Sequence, residues 1–322
     1  MKDSAKNSVC VWDYVRWPFS RRIRRKIRRC AKGNTERCTL VMTLVVRNEE
    51  DIVESHIRFH RAMGVDAFIV SSHNSTDKTN VILKRLQQEG LIWKIYYRTT
   101  PEHRHAEWVN EMVHCAHKYG ADWVINADGD EFYYSDKLDL KKSILESQNA
   151  NSLWVDSIFL FPDNEDNFLL STYFVTRPMQ KFEAQMLGVM DNDLYVDYIG
   201  SQGCTKVIHK TKGFISVVDG NHDVVMKNKV FCRAAGIRLY HYHIRNYSGY
   251  EGKVKRWIAS ARFMPEGQGT HMKHMVQLYE QGLLKEDYER RFSAQVKACL
   301  IAAGVVTNDP SVKNFMVKEG II

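Results

Sequence analysis

The chain has 322 residues, of which 44% are hydrophobic and 26% are charged. These values are ordinary for globular proteins, so they exclude collagen-like, intrinsically disordered and disulfide-stapled classes. The net charge of +8 is unevenly distributed, because residues 1–38 hold twelve Lys or Arg against three Asp or Glu. The remainder holds 34 basic and 35 acidic residues. This neutral body argues against broad nucleic-acid binding, and the excess charge belongs to an N-terminal arm.

The seven cysteines are widely spaced and form no C-x-x-C pair. Their odd number favours reduced thiols in a cytosolic protein over a zinc knuckle or a disulfide framework. No apolar run approaches the roughly 18 residues that a membrane span requires. The apolar stretch Val9–Phe19 is interrupted by Asp13 and Arg16, which is atypical of a signal peptide. We therefore expect a cytoplasmic protein.

The arm, residues 1–38, combines aromatic side chains with a dense basic run. The aromatic residues come first, and they are Trp12, Tyr14, Trp17 and Phe19. Basic residues follow, with Ile23 and Ile27 four apart on one side of a possible helix. A basic amphipathic helix with interfacial aromatics suits an anionic membrane surface, so we expect peripheral association with the inner face of a membrane. A disordered polybasic tail and nucleic-acid contact are the alternatives.

Strand and helix patterns alternate four times between residues 39 and 132. A continuous apolar run predicts a buried strand over 40–46, and further strands are predicted over 67–70, 92–97 and 123–126. Helices are predicted from 47 to 63, 79 to 89 and 106 to 119. This alternation indicates a parallel, doubly wound sheet, in which ligands bind at the carboxyl ends of the strands. Polar clusters at 47–50, 73–77 and 128–131 all follow predicted strands, so they mark one edge as a candidate site.

The second half of the chain has a different pattern. Short apolar runs predict strands without clear intervening helices over 152–161, 172–176, 205–210, 214–218 and 237–243. Residues 248–318 are predicted to be mostly helical. The fold class is therefore α/β, with a mixed second half and a helical C-terminus.

Asp128-Gly129-Asp130 is the most specific motif in the chain. Two carboxylates separated by one residue on a turn can both reach one hard cation, and Gly129 lets the backbone turn tightly. Asp-Gly is also a common turn signal, so a purely structural turn is the alternative. The position of the motif directly after a buried strand favours a metal site.

Three segments of the chain resemble those of a known protein family. Val45–Glu50, Asn74–Thr79 and Asp122–Phe132 are similar, in order and spacing, to family 2-like glycosyltransferases of the GT-A fold, and closest to the branch with a D-x-D-E-F motif. Weaker similarity continues at Lys206–Lys210, Gly220–His222 and His241–Tyr242, together with Arg245 and Lys253. The resemblance implies a hexosyltransferase-like enzyme with a nucleotide-sugar donor, a Mn²⁺ or Mg²⁺ ion, and a glycan or glycolipid acceptor in surface polysaccharide or lipopolysaccharide synthesis.

The same resemblance implies a division of the chain. After the arm, residues 39–247 would form the GT-A catalytic domain, with a nucleotide-sugar half over 39–135 and an acceptor half over 136–247. Residues 248–322 would form a helical C-terminal extension. These boundaries are expectations taken from the family.

The resemblance also implies site residues. Asp128 and Asp130 would hold the ion against the diphosphate, and His222 or His241 would supply a further metal ligand, unless they are interior histidines. The remaining candidates for donor contact are Arg47, His73, Asp77, Arg104, Arg245 and Lys253. Family 2 members usually carry an aspartate pair where this chain has Ser72-His73, so the base preference is open.

The candidate catalytic carboxylates are Asp166 and Glu131. An inverting transferase needs a carboxylate that takes the proton of the acceptor hydroxyl, and Asp166 resembles the second residue of the family's E-D motif. Asp191 and Asp193 are further acceptor-side carboxylates. Glu131, next to the metal motif, is expected to support it.

Two other functions remain as alternatives. A nucleotidyltransferase can also use an α/β sheet and paired aspartates, but it is expected to carry a Gly-rich basic loop after the first strand, where this chain has Val46–Glu49. A non-enzymatic module that binds membrane or nucleic acid through the arm is the second alternative.

Overall fold

The structure is a computed structural model that describes residues 38–100, 102, 104–147, 149–163, 166–186, 205–261 and 270–322. The strands are β1 Leu40–Val46, β2 Ala67–His73, β3 Ile92–Arg98, β4 Trp123–Asp128, β5 Glu131–Ser135, β6 Ser152–Leu160, β7 Tyr173–Val175, β8 Thr205–Lys210, β9 Phe214–Val217, β10 Val224–Met226, β11 Phe231–Arg233, β12 Ile237–His241 and β13 Val306–Asn308. The helices are α1 Val53–Ala62, α2 Thr79–Gln88, α3 His105–Tyr119, α4 Leu140–Glu146, α5 Lys181–Met186, α6 Tyr247–Ala261, α7 Thr270–Glu280, α8 Leu284–Arg291, α9 Ala294–Ala302 and α10 Ser311–Lys318.

The first four strands form the parallel sheet that the sequence predicts, in the order β3-β2-β1-β4. Side chains of β1 alternate between its two faces. Met42 and Leu44 belong to the core cluster beneath α1 and α2, whereas Val41 packs with α3 on the other face. Because both faces are covered, β1 has to be apolar at nearly every position, which explains its continuous apolar run.

The second half makes the sheet mixed, as predicted. Strand β8 inserts antiparallel between β4 and β6, and β12 pairs antiparallel with β5 and parallel with β6. The β12–β5 register sets His241 opposite Glu131. A segment more than 100 residues along the chain is thereby placed beside the Asp128-Gly129-Asp130 turn, which begins at the end of β4.

Several predicted boundaries were wrong. The first helix begins at Val53 rather than at 47, because Asn48 has a φ of 54° and residues 50–52 form turns. Strand β12 ends at His241, so residues 242 and 243 leave the sheet. Helix α5 lies in a region where only strands were predicted.

The C-terminal region is mostly helical, and it also contributes to the sheet. Strand β13 pairs antiparallel with β7, and Phe315 and Met316 of α10 are buried in the main core. Helices α6 to α9 form a second core around Tyr250, Val254 and Tyr288. The arm lies outside the described residues. No helix in the described part of the chain is long and apolar enough to cross a membrane.

Two buried histidines connect α1 to β5 behind the site. His60 Nε2 accepts the Tyr133 backbone N–H at 2.9 Å, and its Nδ1 donates to the His56 carbonyl at 2.9 Å. Burial lowers the pKa of His60 well below its ordinary value, and the same effect lowers the pKa of His56 to about 4. Both rings are therefore neutral packing elements that hold β5 in place.

Candidate active site

The carboxyl ends of β1 and β4 approach each other at the Asp128-Gly129-Asp130 turn. A Cβ at Gly129 would lie 3.3 Å from Val46 Cγ1 and 3.4 Å from Glu49 Cγ. The distance to Val46 is tighter than ordinary van der Waals contact and the distance to Glu49 is at its lower limit, so glycine lets the turn pack against the end of β1 without displacing Val46. The turn is thus packed against Val46 and Glu49, and its two carboxylates have different partners: Lys206 contacts Asp128, and His241 contacts Asp130.

Asp128 is held by two nitrogen groups. Lys206 Nζ lies 3.1 Å from its Oδ2, and His105 Nε2 lies 3.4 Å from its Oδ1. Burial alone would raise the pKa of Asp128, but Lys206 and His105 outweigh it and hold the pKa below its ordinary value. The carboxylate is therefore ionised at neutral pH. Neither partner is near Asp128 in the sequence.

Lys206 and Glu131 form a buried ion pair beneath the turn. Lys206 Nζ lies 2.9 Å from Glu131 Oε1 and donates to the Gly220 carbonyl at 2.8 Å. Burial would lower the pKa of Lys206, but Glu131 and Asp128 outweigh it and keep the ammonium charged. Glu131 also accepts the backbone N–H of Asp128 at 3.1 Å and is fully buried. It cannot reach an acceptor from there, so the catalytic assignment of Glu131 is corrected to a supporting one.

Asp130, His241 and His243 form a group that can hold a metal ion, since one ligand atom from each lies within 4.8 Å of the others. Asp130 Oδ1 is 3.3 Å from His241 Nε2, and the Tyr242 N–H donates to the Asp130 carbonyl at 2.8 Å. Burial would raise the pKa of Asp130, but nearby positive groups, led by His241, hold it well below its ordinary value. One carboxylate and two imidazoles suit a divalent transition-metal ion.

The structure therefore brings together two of the four predicted ligands, Asp130 and His241. It adds His243, which the sequence analysis missed. The spacing His241-Tyr242-His243 is the signal that could have found it, because side chains two apart in an extended segment share a face.

His222 does not join this group. Its ring is exposed, and Nδ1 lies 3.1 Å from the Thr205 carbonyl oxygen. The Gly220-Asn221-His222 segment instead contributes the Gly220 carbonyl that Lys206 binds. The prediction that His222 is a metal ligand has no support in this geometry.

A group of cations borders the metal-capable residues. Arg245 forms ion pairs with Glu49 and Asp51, both at 2.6 Å, and Lys253 Nζ lies 2.9 Å from His243 Nδ1. Burial raises the pKa of Glu49 to about 7, although the Arg245 charge opposes the rise. Both cations were predicted.

Arg256 completes this cation group, one helical turn beyond Lys253 on α6. Burial and the charges of Arg47 and Arg245 lower the pKa of Arg256, although Glu49 opposes them. Arg47 is exposed at the end of β1. Mutually crowded cations of this kind favour a polyanionic ligand, because the anion offsets their repulsion. The sequence analysis missed Arg256, which had no motif around it.

The loops after β1 and β2 are fixed to each other. Asp77 accepts the Glu50 N–H at 3.1 Å with one carboxylate oxygen and the Thr79 N–H at 3.0 Å with the other. The Asn48 side chain accepts the Thr76 N–H at 2.8 Å. These bonds give Asp77 a positioning role in the loop, in place of the direct donor contact that the sequence predicted.

Of two further residues predicted to contact the donor, His73 is buried and Arg104 is exposed. His73 is buried, its ring packs 4.7 Å from that of Trp108, and its Nε2 bonds the Thr100 carbonyl at 2.8 Å. It therefore packs beneath the loop after β3. Arg104 is exposed, 3.6 Å from Glu102 and directly before His105, which reaches Asp128.

Asp166 is exposed in the loop that precedes a short 3₁₀ turn at 168–170. The ring of Phe168, two residues on, lies 5.6 Å from the Arg245 guanidinium carbon. Asp166 is thus separated by one residue from a side chain that contacts the cation group, and its own role stays a prediction. Asp191 and Asp193, the further acceptor-side carboxylates, lie outside the described residues.

A sequence profile of glycosyltransferase family 92 matches residues 41–286, which include every residue of this site. The chain belongs to glycosyltransferase family 92. This membership confirms the predicted glycosyltransferase class and decides against a nucleotidyltransferase or a non-enzymatic module. The motifs were interpreted as family 2-like, and the D-x-D-E-F branch stays a prediction. No curated protein matches the chain significantly.

Solved structures resemble the family 92 enzyme at low identity. S. aureus TarS 1–349 in complex with UDP-GlcNAc is 11% identical with a TM-score of 0.41, covering 87% of this chain and 80% of that chain. The mannosyltransferase PcManGT from Pyrobaculum calidifontis, in complex with GDP-Man and Mn²⁺, is 13% identical with a TM-score of 0.40, covering 94% and 87%. The mixed α/β sheet and the mostly helical C-terminus agree with the α/β fold class that the sequence predicts.

Proposed function

We propose that this glycosyltransferase moves a sugar from a nucleotide-sugar donor to a hydroxyl group of a glycan or glycolipid, with a divalent ion bound at the site. One observation carries the proposal: Asp130, His241 and His243 converge at the edge of the sheet where Arg245 and Lys253 also lie. An ion site beside clustered cations suits a nucleoside diphosphate, because the diphosphate is a polyanion that binds both a divalent ion and cationic side chains.

The residues present fit a divalent ion. Asp130 is held ionised, and the two imidazoles offer ring-nitrogen ligands. Asp128 stands beside them as a second ionised carboxylate whose charge Lys206 balances. Mn²⁺ or Mg²⁺ bound there would neutralise charge that develops on the departing diphosphate.

The cation group would hold the diphosphate itself. Arg245 is fixed by Glu49 and Asp51, so its orientation is set before the donor binds. Lys253 and Arg256 project from one helix toward the same region, since both interact electrostatically with Glu49 and Arg245. Cations fixed in advance stabilise leaving-group charge with little reorganisation.

Asp166 is the proposed base. Its exposed carboxylate is two residues before Phe168, whose ring lies 5.6 Å from the Arg245 guanidinium carbon, and this supports a role in accepting the proton of the acceptor hydroxyl as that oxygen attacks the sugar. The full burial of Glu131 argues against the same role for that carboxylate.

The biological setting that we propose is surface polysaccharide or lipopolysaccharide synthesis at a membrane. It rests on the composition of the arm, residues 1–38, whose charge balance of +9 and interleaved aromatics suit anionic lipid. The arm would keep the enzyme near membrane-associated acceptors.

The test is a panel of nucleotide sugars with Mn²⁺ or Mg²⁺, read by release of nucleoside diphosphate and by transfer to glycan acceptors. We expect one donor to be used and excess chelator to stop the reaction. Undiminished activity in chelator would contradict the metal role, and no use of any donor would contradict the function.

Asp166→Asn tests the base in the same assay. We expect transfer to fall about 100-fold or more, which is typical for loss of a general base. Affinity for the nucleoside diphosphate should stay within about twofold. The control is Asp163→Asn, a loop carboxylate paired with Lys297 at 2.7 Å. Equal losses in both variants would assign the effect to the loop and not to proton transfer.

A further inference from the structure

A cavity lies at the edge of the sheet opposite to the candidate active site. It has a volume of about 640 Å³ and lies beside the end of β8 and the start of β6. An adjoining cavity of about 490 Å³ reaches the start of β4 at Trp123. Strand β1 has seven residues between the two edges, so they are about 20 Å apart.

The larger cavity is basic. Lys210, Lys212, Lys227, His114 and His117 line it, and no lining residue is acidic. Within the described part of the chain, these three lysines form no ion pair with a carboxylate. The body of the protein has nearly equal numbers of basic and acidic residues, so such a concentration departs from its average.

The cavity wall is held in place by hydrogen bonds. The Thr211 hydroxyl donates to the Ala121 carbonyl at 2.6 Å and therefore accepts from His117 Nδ1 at 3.0 Å. Lys210 lies over the Trp123 ring, 5.3 Å from its centroid. The positive groups are thus carried by a fixed segment at the end of β8.

Apolar side chains are exposed beside these cations. Val230 and Phe231 are 50% and 55% exposed, and β11 brings them to the start of β6. Ile215, on the β9–β10 hairpin, is 49% exposed. We call these three side chains and the three lysines the basic edge. Exposed apolar groups among lysines are typical of surfaces that meet the headgroup region of a membrane.

The arm enters the described structure at this same edge. Cys38, the first described residue, lines the adjoining cavity together with Lys210 and Lys212. The strongly basic residues 1–37 therefore connect to the molecule beside the basic edge. Charge complementarity and this connection both identify an anionic lipid surface as the occupant.

We infer that the basic edge of the folded domain docks on an anionic membrane, with phosphate-bearing headgroups at Lys210, Lys212 and Lys227 and apolar contacts from Ile215, Val230 and Phe231. This docking turns the sugar-transfer edge away from the bilayer by about 20 Å. The enzyme then meets an acceptor that extends from the surface or arrives from the aqueous side. The inference does not depend on the proposed sugar transfer.

The test uses the full chain and co-sedimentation with phosphatidylcholine vesicles, with and without phosphatidylglycerol, across a salt series. The variant Lys210→Gln/Lys212→Gln/Lys227→Gln, called the cavity variant, should have an affinity for anionic vesicles at least about tenfold lower than that of wild type. The matched control is Lys84→Gln/Lys142→Gln/Lys318→Gln, which removes the same charge from exposed residues on α2, α4 and α10, packed on the other face. Its affinity should stay within about threefold.

Two further variants separate the sources of binding. Ile215→Ser/Val230→Ser/Phe231→Ser should lose the part of vesicle binding that survives high salt, because apolar burial is insensitive to screening. The arm variant, a full chain with Arg21, Arg22, Arg24 and Arg25 changed to Gln, measures how much the arm contributes to vesicle binding. Circular dichroism and thermal unfolding check that each variant is folded.

Equal losses in the two lysine variants would overturn the inference in favour of general charge attraction. The inference would also be overturned if the cavity variant bound anionic vesicles as tightly as wild type while the arm variant did not bind them. In that case the arm would be the membrane contact. Saturable binding of inorganic pyrophosphate at the cavity, with full vesicle binding by the cavity variant, would assign the cavity to a free phosphate compound instead.

Discussion

Asp130→Ala is expected to lower kcat/KM for sugar transfer by about 1,000-fold or more, which corresponds to the several kcal/mol that a bound cation supplies to a charged leaving group. The reason is that Asp130 is the ionised member of the group with His241 and His243. His243→Ala should also lose activity, by about 100-fold. The measurement is initial rate against donor concentration at saturating Mn²⁺, with folding checked by circular dichroism.

His222→Ala is the matched control for these variants. His222 is exposed and lies outside the metal-capable group, so its activity should stay within about twofold of wild type. Loss in His222→Ala together with full activity in His243→Ala would contradict the ligand set that the geometry supports. Full activity of Asp130→Ala in excess chelator would contradict the metal role itself.

Lys206→Met is expected to lower the free energy of unfolding by about 3–5 kcal/mol, the cost of leaving the buried Glu131 carboxylate without its partner. Lys206 contacts both Asp128 and Glu131, and Glu131 is fully buried. The double variant Lys206→Met/Glu131→Leu should recover part of the loss, because it removes both buried charges. Urea denaturation followed by fluorescence measures the change.

The control for this effect is Lys255→Met. Lys255 forms an exposed pair with Glu251 one helical turn away on α6, at 2.7 Å. Because water screens such a pair, we expect no measurable change in the urea midpoint. A small effect of Lys206→Met, equal to that of Lys255→Met, would show that the buried ion pair does not support the turn.

The sequence predicts the parallel part of the fold well because local patterns determine it. The apolar run of β1 can be explained only by burial on both faces, and helices on each side provide that burial. Helix α5 and strand β13 escaped prediction because they are only six and three residues long. Short elements owe their conformation to tertiary contacts more than to local preference.

In the candidate site too, residues in a local motif could be predicted, whereas residues brought in by tertiary contacts could not. Asp130 could be found from its motif and position after a strand, whereas Lys206 is 78 residues from the aspartate it contacts. Tertiary contacts decided the two other differences. Glu131 looks catalytic in sequence because it adjoins the motif, but pairing of β5 with β12 encloses it. Asp77 looks like a ligand until its oxygens are seen to accept backbone N–H groups.

The most direct test of the central claim is pulsed electron paramagnetic resonance of Mn²⁺ bound to the enzyme with a nucleoside diphosphate. Modulation from imidazole nitrogen should be present in wild type and in His222→Ala, and it should disappear in His241→Ala/His243→Ala. Phosphorus coupling should accompany it, since the ion is expected to sit between the protein and the diphosphate. Absence of nitrogen modulation in wild type, or its persistence in the double variant, would contradict the site.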